Sequence, residues 1–172
     1  MEISSIIEMW KYFKWLPNFI LRKRFSKQRL SDLVLIDVQP RHEAVGANLG
    51  DIANYSIHFQ IINRSPFDVE LDRAEIDFLC AGTSVSTQHI KKATFKAGEV
   101  RILYVSGEIE TPKAMQMAQH YKENRSSISV HCEFNCSLHN FTKVCKNLEG
   151  VNVHFTNAEW RKSTIENALQ SN

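Results

Sequence analysis

Six glycines, four prolines and four cysteines in 172 residues are few, and each scarcity excludes something. No glycine-rich loop opens a helix, so the backbone cradle that nucleotide-binding proteins fold around phosphates is missing. Neither a Gly-x-Ser-x-Gly elbow nor a His-Glu-x-x-His helix occurs, which removes two common hydrolase signatures. Long apolar runs are absent too. The stretch between Lys14 and Arg22 has seven residues and is interrupted by Pro17. A spanning helix needs roughly 20 apolar residues, and a signal peptide needs a longer apolar region followed by small residues. No internal repeat or low-complexity segment is present.

The cysteines are Cys80, Cys132, Cys136 and Cys145. A chain this long buries a core without disulfide support. Cys132 and Cys136 fall on one strand face with Ile128, Val130 and Phe134. Their Cα atoms would lie about 13 Å apart at strand rise, beyond disulfide reach, so free packing thiols are expected. His131, Cys132, Cys136, His139 and Cys145 invite a zinc reading, but their spacing forms no knuckle pattern, and no metal or other cofactor is expected. Sequons at Asn54, Asn63, Asn124, Asn135 and Asn140 matter only on a secretory route, which nothing near the N-terminus supports. They are expected to be unused. His58 alternates with Ser56 and Gln60 as a surface histidine, and no catalytic residue set emerges.

What is present divides into two chemical styles. Residues 1–30 crowd Trp10, Tyr12, Phe13, Trp15, Phe19 and Phe25 among seven Lys/Arg and two acids, a net of +5. The whole chain carries +2, so the remainder stands at −3. Ile6, Met9, Trp10, Phe13 and Leu16 follow the helical i, i+3, i+4, i+7 rule, with Glu8, Lys11 and Lys14 opposite. Pro17 predicts a kink or restart. A second helical piece then sets Phe19, Ile20 and Phe25 against Arg22, Lys23 and Arg24.

After Ser31 the period changes to two. Strands are predicted over 33–40, 55–62, 67–72, 76–80, 83–89, 99–107, 127–137, 141–147 and 151–155, with residues 41–53 read as a loop. One helix is predicted over 111–121, with Pro112 at a first-turn position. Thr156-x-x-Glu159 has the form of a capping box opening a C-terminal helix, with Trp160, Ile165 and Leu169 as its weak apolar side. Short alternating strands at this spacing predict a mainly β chain, an immunoglobulin- or fibronectin-like antiparallel β-sandwich with one inserted helix and helices at both ends. The expected divisions are an arm over 1–30, a sandwich over 31–156 and a helical tail over 157–172.

Residues 54–107 carry a recurring pattern: Ile57–Ile62, the turn Asn63-Arg64-Ser65-Pro66-Phe67, Val69-Glu70-Leu71, Ile76-Asp77-Phe78, Gly82 and Val100–Val105. In this they resemble the LEA-2/WHy group of LEA14-like sandwich domains associated with desiccation and stress. The later Ile128–Phe134 and Gly150–Val153 fit more loosely. Two departures stand out: Arg64-Ser65 separates the Asn from the Pro, and the Trp near the start of WHy domains is missing. The resemblance implies a seven-stranded sandwich with one helix, no catalytic residues and frequent tethering at membranes.

The basic aromatic arm points to an anionic membrane surface, where aromatic rings settle at headgroup level and Lys/Arg meet lipid charge. The alternative is a helix that docks its apolar face onto its own sandwich or onto a partner protein, the latter as a subunit of a soluble assembly. Nucleic acid fits less well, because the apolar face adjoining Arg22–Arg24 is too large. No small-molecule substrate is implied. Attachment is expected through Trp10, Phe13, Trp15, Phe19, Arg22, Lys23 and Arg24, in a cytoplasmic protein peripheral at a membrane.

Overall fold

Period-two patterning sorts the residues into two layers. Along strand β3 (Asn54–Asn63), Tyr55, Ile57, Phe59 and Ile61 are buried while Ser56, His58, Gln60 and Ile62 are half-buried on the other face. A computed structural model describes residues 17–38, 45–89, 91–123, 126–148 and 151–170. Within them, β3 centres the first sheet. It pairs along one edge with β7 (Val100–Glu108), and along the other with β2 (Val45–Asn48) and then β1 (Val34–Val38). β10 (Val153–Thr156) joins β2 in parallel, the one departure from antiparallel pairing.

The second sheet runs β5 (Thr83–His89), β4 (Val69–Cys80), β8 (Ser126–Cys136), β9 (Asn140–Leu148), with the short β6 (Ala93–Phe95) also on β4. β4 is one strand of 12 residues. Its register on β8 slips between Leu71 and Arg73, leaving Asp72 as the extra residue of a bulge. That residue resets the alternation, so Leu71 and Ala74 are both buried although three positions apart. The inner faces of both sheets meet in a core that includes Phe59, Phe78, Phe95 and Phe134. Burying each such ring contributes about 1.5–3 kcal/mol. At Gly107, the cross-strand partner of Tyr55, an added Cβ would stand 2.5 Å from the Tyr55 hydroxyl, so the ring lying over this position requires glycine there.

The described residues also form the helices α1 (Asn18–Arg24), α2 (Lys27–Leu33), α3 (Thr111–His120) and α4 (Ala158–Gln170). A 3-10 turn, Tyr121–Glu123, follows α3. α3 buries Ala114, Met117 and Ala118. α4 differs from the capping-box expectation. Asn157, in the left-handed region at φ 61°, accepts the Arg161 N–H at its carbonyl, so the helix starts one residue later than the box requires. Glu159 instead holds the Tyr121 hydroxyl and Lys122. The helix is anchored by Ala158 and Arg161 rather than by Trp160, which is 46% exposed. The Arg161 guanidinium is buried and donates to the carbonyls of Leu49 (2.6 Å), Gly50 and Asp51.

Asn63 ties the opposite end. Fully buried, its amide nitrogen lies 2.7 Å from the Phe67 carbonyl, 3.1 Å from that of Phe95 and 3.0 Å from that of Lys96. Its carbonyl oxygen accepts from the Ser65 N–H and hydroxyl. One side chain thus fastens the β3–β4 turn to the β6–β7 turn. In the folded chain the Asn63 sequon is closed to glycosylation, because its nitrogen is buried and engaged.

Candidate attachment surface

α1 begins after Pro17, whose fixed φ suits a helix start. Leu21 and Phe25 stand four residues apart and so share a face; both are buried. Phe25 meets Phe67 edge-on with ring centroids 5.1 Å apart, and the Arg29 guanidinium lies over the Phe25 ring. Phe19 sits roughly 200° around the helix from Leu21 at 3.6 residues per turn. It therefore points away from the core and is 73% exposed, with Ile20 at 39%. Arg22, Lys23 and Arg24 fill the last turn, all exposed, where they also complement the negative helix end.

Ser26 caps α2 by accepting the Arg29 N–H at 3.3 Å. Leu30 is fully buried. Ser31 links α2 to β9, its hydroxyl donating to the Thr142 carbonyl at 2.7 Å while its own carbonyl accepts from Lys143. Both helices are thereby fixed to the sandwich, with Lys27 and Arg29 on their exposed side. The resulting surface presents Phe19, Ile20, Arg22, Lys23, Arg24 and Lys27 together. Of the residues expected to mediate attachment, Phe19, Arg22, Lys23 and Arg24 are grouped here; Trp10, Phe13 and Trp15 lie outside the described residues.

Beside α2 an open groove of about 360 Å³ is lined by Lys27, Gln28, Ser31, Asp72, Glu133 and Asn135 among others. Its carboxylates are engaged elsewhere. Glu133 accepts from Arg73 at 2.7 Å and Asp72 lies 2.8 Å from Lys92. These pairs raise the pKa of Arg73 and of Lys92, through hydrogen bonds to Glu133 and Asp72 respectively.

The thiols are free. Cys80 and Cys132 are buried, and desolvation pushes both up to about 12. Cys145 is raised by the same cause, and Cys136 sits half-buried in the β8–β9 hairpin with the His139 N–H at 3.4 Å. Among the described residues no group of three or more His, Cys, Asp or Glu is arranged to hold a metal ion. No described helix is long and apolar enough to cross a membrane. The described part of the N-terminal segment is a basic helix with an exposed aromatic, packed on the sandwich.

Fold and surface together define a mainly β, two-layer sandwich module. No protein-family model matches the chain, and no curated protein does. Similar solved structures include a "putative late embryogenesis abundant (LEA) protein", 11% identical, covering 84% of this chain and 85% of that one, with a TM-score of 0.47. The structural-genomics target SoR45 is also 11% identical, over 68% of this chain and 85% of its own, at 0.48. A protein from Archaeoglobus fulgidus is 8% identical over 65% and 91%, at 0.38. An LEA protein thus stands among the similar structures, in keeping with the sequence resemblance. At these scores no activity transfers.

Proposed function

We propose that this chain is a non-enzymatic β-sandwich module held peripherally at an anionic membrane surface by its N-terminal segment. One observation carries the reading. α1 turns Leu21 and Phe25 into the core yet leaves Phe19 outside, next to three consecutive basic residues. An exposed aromatic beside Arg22, Lys23 and Arg24 matches what an interfacial helix offers a bilayer, apolar insertion plus attraction to lipid charge. Each basic residue near an anionic surface adds about 1 kcal/mol. Trp10, Phe13 and Trp15 extend the same composition towards the N-terminus. The LEA-2/WHy resemblance of residues 54–107 supports a stress-related setting.

Co-sedimentation with phosphatidylserine-containing and with neutral vesicles, at low and high salt, tests this. The full chain should bind the anionic vesicles and release with salt. Changing Arg22, Lys23 and Arg24 to Gln should weaken binding roughly a hundredfold, from three charges at about 1 kcal/mol each. Replacing Trp10, Phe13 and Trp15 by Ser should abolish partitioning. Unchanged partitioning in both variants would transfer the segment to the role of a docking helix on a partner protein.

A further inference from the structure

We propose that β7 is the seam of a symmetric dimer, pairing antiparallel with β7 of a second copy of this chain. β7 is bonded to β3 from Val100 to Glu108 and has no second strand neighbour among the described residues. Alternate residues therefore offer their N–H and C=O groups outward, the usual template for strand addition.

Other sheet edges are blunted. β6 has three residues, β10 four and β1 five including Asp37, β5 shows Ser84, Ser86 and Gln88, and β9 carries Lys143 and Lys146 and is covered by α2. β7 contains no proline, no lysine and no register break. Val100, Ile102 and Tyr104 instead stand 48, 49 and 56% exposed along its outer face. The apolar ribbon continues inward, since Val100 lies opposite Ile62 and Ile62 opposite Leu35. His58 supports Tyr104 with its ring 5.0 Å away.

The charge pattern admits a second copy, and self-pairing sets apolar residues against one another. The strand's one cation, Arg101, is bound by Glu99 at 2.8 Å and by the Thr94 carbonyl, and lies over Phe95. The outer face from Val100 to Ser106 is uncharged, so it attracts neither an acidic nor a basic partner, and two copies meet without repulsion. A two-fold axis normal to the sheet keeps outer face beside outer face, which restricts the registers to those centred on a residue. Centring on Leu103 sets Ile102 opposite Tyr104 of the second copy and leaves Glu108 outside the seam. Centring on Tyr104 sets Val100 against Glu108, which is worse. The favoured register pairs seven residues, Val100–Ser106, over about 23 Å. Such a seam falls short of the standard interface of about 800 Å² per partner, so a weak, concentration-dependent dimer is expected.

Sedimentation velocity of the full chain across the micromolar range tests this, alongside I102K and the double variant I102K/Y104E. Ile102 is half exposed, so the lysine is accommodated in the monomer; circular dichroism checks the fold. The native chain should move towards dimer mass with concentration. I102K should stay monomeric, and the double variant should regain the dimer because opposite charges then face each other across the seam. A native chain that remains monomeric overturns the proposal, as does dimerisation untouched by I102K or not restored by the double variant. Hydrogen exchange identifies the alternative occupant. A monomer whose β7 amides lose protection when Trp10, Phe13 and Trp15 become Ser uses its own N-terminal segment to cover the strand.

Discussion

Replacing Asn63 by Ala should cost more than its place in a turn suggests. The substitution removes the donor group from among the carbonyls of Phe67, Phe95 and Lys96, and the acceptor for Ser65. Taking about 1 kcal/mol for each lost bond, and adding a share of the desolvation cost of groups left unpaired, gives about 3–5 kcal/mol. That is a large part of the 5–15 kcal/mol typical of a domain. In urea, with a slope of about 2 kcal/mol/M, the unfolding midpoint should fall by about 2 M. Asn63→Asp adds a pH signature. A buried carboxylate facing carbonyl oxygens ionises less readily than in the unfolded chain, so its folded pKa is raised. The variant then suffers no ionisation penalty below the unfolded carboxylate value, about 4, and loses stability as pH rises through the folded value. A midpoint shift below about 0.5 M for Asn63→Ala, equivalent to about 1 kcal/mol, would falsify the view that this amide fastens the two turns.

Arg161→Met keeps the apolar stem but leaves the carbonyls of Leu49, Gly50 and Asp51 without their charged donor. A loss of about 2–3 kcal/mol is expected, with faster amide exchange in the first turns of α4. Unchanged α4 protection would show that the guanidinium is incidental. For the thiols, a pKa of about 12 at Cys80 and Cys132 leaves only about one part in ten thousand as thiolate at pH 8. Neither should label with a disulfide reagent in the native state, and both should label on unfolding. Since their folded pKa values lie above the unfolded one, stability should begin to fall as pH rises past about 9. Rapid native labelling at either site contradicts this.

The strands were legible because one face of each is buried and the other wet, which writes period two into β1, β3, β4, β5 and β8; in β7 the legible alternation of Val100, Ile102 and Tyr104 falls on the exposed face instead. β2 escaped notice because Val45-Gly46-Ala47-Asn48 is short and built from small residues. It is a strand by virtue of what pairs with it on both edges, and no local pattern reports that. β6 has three residues and the same problem. The bulge at Asp72 joined two runs that read separately. On the candidate surface, the sequence set Phe19, Ile20 and Phe25 together as one apolar group. The Leu21–Phe25 spacing already marked the buried face, and Phe19, half a turn away, could have been assigned outward from it. Asn63 and Arg161 could not have been found this way. Polar residues are ordinarily exposed, and their burial depends on carbonyls more than 30 positions away in sequence.

The two polar staples also give the molecule a direction. Asn63, with Phe25 against Phe67, marks the pole that carries α1 and α2. Arg161, gripping residues 49–51, marks the pole that carries α4. The ten residues of β3 separate them by about 33 Å at strand rise. α4 and the exposed Ile52 and Trp160 thus lie about a strand's length from the basic helix. Under the proposed attachment the sandwich would act as a stand-off post, separating the basic helix from α4 by about the length of β3.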